Sequence, residues 1–283
     1  MGRLLKLQPL RPDHAAHGYV YYRWTQRYVS VVRWVLERAW LGPLRTVAGN
    51  NLAETHHAKV VPAEAARRVI TLDRPVDLRA LEHVVPYHVA RDVVLETPLR
   101  IALAECACRG AAEAAGERDG SCGPLEQCIY VGDPIASFVV EKQRTARFIG
   151  PSEALSVIDA AAKRGSIHTL WFKDAAAGRM YAVCNCCSCC CIGLKAERAG
   201  FRPLAGSGYV ARVDAAACTA CGACVDACAF GALSLERELG TAAVDPTRCF
   251  GCGACSQICP TDALALHLAD DGGVEPVPWA AGE

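Results

Sequence analysis

The stretch from Tyr21 to Leu41 carries a clear helical period. Arg23, Gln26, Arg27, Ser30, Arg33 and Glu37 fall on one face, and Tyr21, Trp24, Tyr28, Val31, Val32, Val35, Leu36 and Ala39 on the other. Gly42-Pro43 is expected to stop the helix. Two environments suit its apolar face. One is the core of its own protein or of a partner subunit. The other is a membrane interface, with Trp24, Trp34 and Trp40 near the headgroups and the arginines toward anionic lipid. Further on, the apolar runs are shorter. They predict helices over Pro62–Thr71, Leu78–Val85 and Tyr87–Glu96, separated by Pro75 and Pro86, and longer helices over Pro134–Arg147 and Ser152–Arg164. Leu99–Ala104, Ile167–Phe172 and Met180–Val183 read as strands. No run of 18 uncharged apolar residues exists, so no transmembrane helix is expected.

These patterns divide the chain into four regions. Residues 1–60 form a basic amphipathic segment, and residues 61–205 a cysteine-rich, mostly helical domain. Residues 206–270 form a second domain and residues 271–283 a tail, with Pro203–Gly208 as the linker between the two domains. The second domain repeats with a period of 31 residues. Cys218, Cys221, Cys224 and Cys228 match Cys249, Cys252, Cys255 and Cys259, and Val213-Asp214 matches Val244-Asp245. Each half reads as strand, cysteine loop, short helix, strand.

The spacing C-x2-C-x2-C-x3-C wraps three thiolates of one tight loop around three corners of an iron–sulfur cubane. The fourth cysteine starts the next helix and serves the other cluster. Cys218, Cys221, Cys224 and Cys259 are therefore expected to hold cluster I, and Cys249, Cys252, Cys255 and Cys228 cluster II. Zinc sites use cysteine pairs rather than two identical four-cysteine runs. Over about 65 residues these motifs resemble the two-cluster bacterial ferredoxin family. The resemblance implies two 4Fe–4S clusters, a pseudo-twofold fold and one-electron transfer at low potential. The proline that usually follows the fourth cysteine is present at Pro260 but replaced by Ala229 in the first half, which restores a backbone N–H near cluster II.

Ten more cysteines lie upstream: Cys106, Cys108, Cys122 and Cys128, then Cys184, Cys186, Cys187, Cys189, Cys190 and Cys191. Adjacent cysteines are awkward for disulfides and natural for thiolate ligation. Three readings stay open. The domain holds one or two further iron–sulfur clusters, one on Cys106, Cys108, Cys122 and Cys128 and the other on the 184–191 run. Or it holds a substrate-binding cluster of unusual type with more than four thiolates. Or the thiols bind zinc or other soft metals. Arg109 would favour the thiolate form of Cys108 or donate to a cluster sulfur. The sequence CxCR, CGPLEQC and CNCCSCCC ahead of the repeat resembles bacterial and archaeal 4Fe–4S dicluster-domain proteins of no settled activity, over about residues 84–268. That resemblance implies iron–sulfur binding and little else.

Composition and charge sharpen the picture. The 18 cysteines and the absence of a signal-like start point to a reducing cytoplasm. Net charge is zero but uneven: residues 1–60 carry +6, and residues 206–283 carry −7. A redox partner with a basic docking patch is expected, together with a membrane-surface or partner-subunit contact through residues 21–41 and a peripheral place on the inner face of the membrane. Nucleic acid is not expected as a partner. No Gly-rich nucleotide motif or nucleophile elbow is present, and His56-His57, His83 and His88 read as surface or packing residues. The expected fold class is α+β, with a ferredoxin-type pseudo-twofold domain after a mostly helical one. The expected function is electron transfer, alone or as a subunit. A redox enzyme with a catalytic cluster in the middle domain, or a metal- or cluster-delivery protein, is the alternative.

Overall fold

The computed structural model describes residues 4, 10–72, 76–77, 94–95, 100–118, 120–236, 238–269, 275–277 and 279. The chain enters through three helices, α1 (Pro12–Arg23), α2 (Thr25–Leu36) and α3 (Gly42–Thr55). The expected single helix over Tyr21–Leu41 is thus broken at Trp24, whose backbone leaves the helical region. Gly42-Pro43 opens the next helix rather than closing the last, because a proline in the first turn removes an N–H that has no partner there. Next come β1 (His56–Val61), α4 (Ala63–Ile70), β2 (Val76–Asp77), β3 (Val94–Leu95), β4 (Ile101–Glu105), α5 (Ala107–Ala114), β5 (Glu126–Val131) and α6 (Ile135–Lys142). Then follow β6 (Arg147–Ile149), α7 (Pro151–Ala162), β7 (Ile167–Lys173), β8 (Met180–Cys186), α8 (Ile192–Arg198) and β9 (Leu204–Ala205). The helices expected over Leu78–Val85 and Tyr87–Glu96 lie outside the described residues, apart from β3.

The expectation of a mostly helical middle domain is corrected by a seven-stranded sheet in the order β6-β4-β5-β8-β7-β1-β9. Its pairings are antiparallel except β1–β9. Both faces are covered. Val69, Ile158 and Trp279 lie on one side, with Leu103, Ile129, Val183 and Leu170 of the sheet. Tyr22, Phe138 and Leu194 lie on the other, with Ala102, Tyr130 and Ala182. A sheet buried on both faces reads as continuous apolar runs without alternation, and short runs do not distinguish strand from helix.

The N-terminal segment belongs to this body. Its boundary at residue 60 falls inside β1, which pairs along its whole length with β7. Tyr21 and Tyr22 are buried, and Gly18 lets α1 close on Ala175, whose carbonyl oxygen would lie 3.2 Å from an added Cβ. Val29 and Leu36 of α2 pack with Ala111 of α5 and Ile192 of α8. Arg33, expected on the polar face, is buried and pairs with Glu37 and Glu117, whereas Val31, expected on the apolar face, is exposed.

The C-terminal region contains β10 (Tyr209–Val213), α9 (Ala223–Ala227), β11 (Leu233–Glu236), β12 (Thr241–Val244), α10 (Ala254–Ile258) and β13 (Leu264–Leu268). β10 pairs with β13, the last strand of the second repeat, and β11 with β12. The two halves therefore close on one another around a small core of Ala211, Leu233, Ala242 and Leu264 with buried cysteines. This region is seated on the sheet domain. Phe230 stacks on Phe250, with ring centres 4.1 Å apart, and both pack against the main core. Gly251 has positive φ, and a side chain there would strike the Tyr209 carbonyl at 2.1 Å. Among the described residues, no helix is long and apolar enough to cross a membrane.

Candidate metal centres

Four cysteine-lined sites emerge. Two belong to the C-terminal repeat. One pocket, of about 320 Å³, is lined by Cys218, Cys221, Cys224 and Cys259. The other, of about 370 Å³, is lined by Cys228, Cys249, Cys252 and Cys255. In each, the pairing of β10 with β13 and of α9 with α10 delivers one cysteine from the opposite repeat. Backbone N–H groups of Ala232 and Ala263 point at Cys228 and Cys259, at 3.2 and 3.3 Å. Such donors stabilise thiolate charge and fit a cluster ligand. Burial pushes the Cys252 and Cys255 thiols up to about 12, so these residues are poor free thiolates and gain most from a positive partner.

The ten upstream thiols are grouped differently from the two sets read along the chain. Cys122, Cys187, Cys189 and Cys190 bring their sulfurs within 4.8 Å of one another. Cys122 comes from the loop between α5 and β5, and the rest from the turn after β8. Sulfurs around one tetrahedral ion lie about 3.8 Å apart, given metal–sulfur bonds of about 2.3 Å. The set therefore fits one ion at this spacing, or a cubane after spreading. Two guanidiniums attend it. Arg109 is fully buried, donates to the Pro124 and Asn185 carbonyls, and keeps an unpartnered Nε. Burial opposes its charge, but Cys106 and Cys187 more than offset that, so its affinity for the proton rises. At Cys122, burial raises the thiol, but donation from Arg118 and Cys187 and the charge of Arg109 prevail and lower it. An orphaned buried donor beside four soft ligands fits a metal centre that carries negative charge.

The remaining six, Cys106, Cys108, Cys128, Cys184, Cys186 and Cys191, line a chamber of about 780 Å³, its mouth included, under α2 and α3; Cys187 also borders it, but its sulfur belongs to the compact set. Strand register builds it. Cys128 sits opposite Cys184, their sulfurs 3.9 Å apart. Cys184 and Cys186 share a face of β8, while Asn185 points through to the other side and bonds His168 at 2.8 Å. Cys191 reaches Cys186 at 3.4 Å. Cys106 lies against Cys108 and Cys128, and Cys108 against Cys191, which closes the ring. Cys106 is held well below the usual thiol range by its Cys108 and Cys128 neighbours, and Cys191 likewise by Cys108 and Cys186.

The chamber also holds a polar relay that the sequence did not disclose. A bulge in β8 leaves Tyr181 unpaired between Met180 and Ala182 and turns it toward the cysteines. Its hydroxyl meets Tyr21 at 2.9 Å and His56 Nε2 at 2.5 Å. His56, read from the sequence as a surface residue, is buried, and burial together with the Lys173 charge keeps it neutral. The ammonium of Lys173 lies 4.8 Å from the centre of the Tyr21 ring, and burial lowers it to about 8.

Residues 217–263 match the family model described as a 4Fe-4S dicluster domain. No curated protein and no solved structure matches the chain. With its cysteine groups, that match defines an iron–sulfur protein that binds 4Fe–4S clusters.

Proposed function

We propose that this chain passes single electrons from an outside donor, through two 4Fe–4S clusters, into its cysteine-rich domain. Cluster I would rest on Cys218, Cys221, Cys224 and Cys259, and cluster II on Cys228, Cys249, Cys252 and Cys255, within a pseudo-twofold ferredoxin-type domain. Each cluster, when bound, takes up and releases one electron. The observation that carries the reading is the seating of the second pocket. Cys252 and Phe250 pack against the main core, and Arg198 ties Ala229 beside Cys228 to Ser188 in the upstream cysteine run, at 3.1 and 2.8 Å. The first pocket keeps Cys221 exposed, which suits exchange with an external partner. Cys228→Ser should perturb cluster II and slow reduction of the middle-domain centre while leaving cluster I intact. Electron paramagnetic resonance during anaerobic rapid-freeze reduction tests this. Damage to cluster I instead would refute the assignment.

A second reading, a redox enzyme, is favoured by the relay of Tyr21, Tyr181 and His56 in the six-thiol chamber, since a pure carrier needs no buried proton path there. Delivery of metal is disfavoured: among the ten upstream cysteines only Cys189 is exposed.

A further inference from the structure

We propose that the six chamber thiols hold one iron–sulfur cluster larger than a cubane, made of two four-iron halves with three protein thiolates each. The proposal rests on the electron path above only for its source of electrons. A cubane takes four thiolates, as each pocket of the C-terminal repeat supplies. The chamber supplies six, and their ring divides into two triads that touch one another at Cys106 and Cys108. In one, Cys128 links Cys106 and Cys184. In the other, Cys191 links Cys108 and Cys186. The chain steps from the first triad to the second twice, from Cys106 to Cys108 and from Cys184 to Cys186. On β8 that step is one full pleat, which moves a side chain along the same face by about 6.6 Å.

Ligand counting agrees. Two cubes joined through one bridging sulfide leave three outward irons on each, and each such iron takes one thiolate. Space agrees as well. The chamber, at about 780 Å³, is more than twice the size of either four-cysteine pocket, at about 320 and 370 Å³. A single ion does not fit these donors. Among the described residues, the set that converges within 4.8 Å is Cys122, Cys187, Cys189 and Cys190, and none of the six belongs to it. Around the thiols, Trp171, Val29, Val32, Leu52 and Ile192 make apolar walls.

The test uses the full chain, grown on iron-57 and purified without oxygen, in a Cys122→Ser, Cys189→Ser background that disables the compact site. Each of the six chamber cysteines is then changed to serine in turn. The background should hold about eight irons beyond those of the two ferredoxin-type clusters, and all six substitutions should perturb the same Mössbauer component. Four or fewer extra irons, or two substitutions that leave the component unchanged, would overturn the proposal in favour of a cubane with two spare thiols. Where a variant does not fold, alkylation of the folded background protein decides: all six thiols protected supports the larger cluster, and two modified overturns it. The paramagnetic signals of the ferredoxin-type clusters are read in the same samples. Their loss with the six-thiol component intact would count against the electron path and leave this site standing.

Discussion

Arg109 sets one buried guanidinium within electrostatic reach of Cys106, Cys187 and Cys122. Its place after Cys108 pointed to thiolate stabilisation, but its reach to Cys187 and Cys122 depends on the loop before β5 folding back over it. Replacing it with methionine keeps the bulk and removes the charge. Arg109→Met should weaken metal retention at the compact site by about 10–100-fold, as loss of a supporting shell does, with the ferredoxin-type signals unchanged. Metal analysis after a chelator challenge measures it. His168 offers a test by pH. Burial lowers it to about 4, so between pH 4 and 6.5 the unfolded chain binds a proton that the folded chain does not. Stability is full above pH 6.5 and falls as the pH drops toward 4, by on the order of 3 kcal/mol. His168→Gln should flatten that part of the stability–pH curve in urea titrations. The grouping of the repeat's eight cysteines around two pockets was legible because it follows local spacing. The sorting of the other ten was not, because it depends on which strands are neighbours: Cys128 meets Cys184 only through the pairing of β5 with β8.

Among elements, β5 and β8 carry most of the upstream chemistry, and they were the hardest to read. Cys128–Val131 is a short apolar run of β-branched and aromatic residues before Gly132-Asp133-Pro134, but at four residues it is too short to be told from a buried helix segment by period alone. Met180–Val183 was legible as a strand, but not its extension through Cys186, since cysteines have no clear period. The helices α4 and α7 followed from their amphipathic pattern to within a residue or two. The N-terminal helix was legible as amphipathic, but which face is buried depended on α5 and α8, which lie far off in sequence. The roof they form implies a consequence for truncation. Deleting residues 1–45 removes Tyr21, Tyr22 and Val29 from the core and opens the chamber. The truncated protein should lose its middle-domain metal and melt at lower temperature while keeping the ferredoxin-type signals. A truncated protein with full metal content would show that the helices cover the chamber without supporting it.

For the molecule as a whole, charge and position act together. Residues 206–283 hold ten acidic and three basic residues, and iron–sulfur clusters add to the negative field. Electron transfer from a basic partner is therefore expected to slow steeply as salt rises, since screening shortens to about 8 Å at 0.15 M ionic strength. Stopped-flow rates against ionic strength check this, and a flat profile would mean that docking is not electrostatic. The roofed chamber also bears on how the protein is made. Both pockets of the repeat draw their ligands from one short stretch near the C-terminus, so they can fill as soon as that stretch is synthesised. The six chamber thiols become neighbours only once the central strand β8 has paired with β5, which forms part of the surface on which the helices settle. Were the chamber to take the proposed cluster, iron would best arrive before the roof settles. A chain that folds before iron arrives would leave the chamber's mouth as the way in, and its maturation in the cell would then depend on the supply of iron at the time of synthesis.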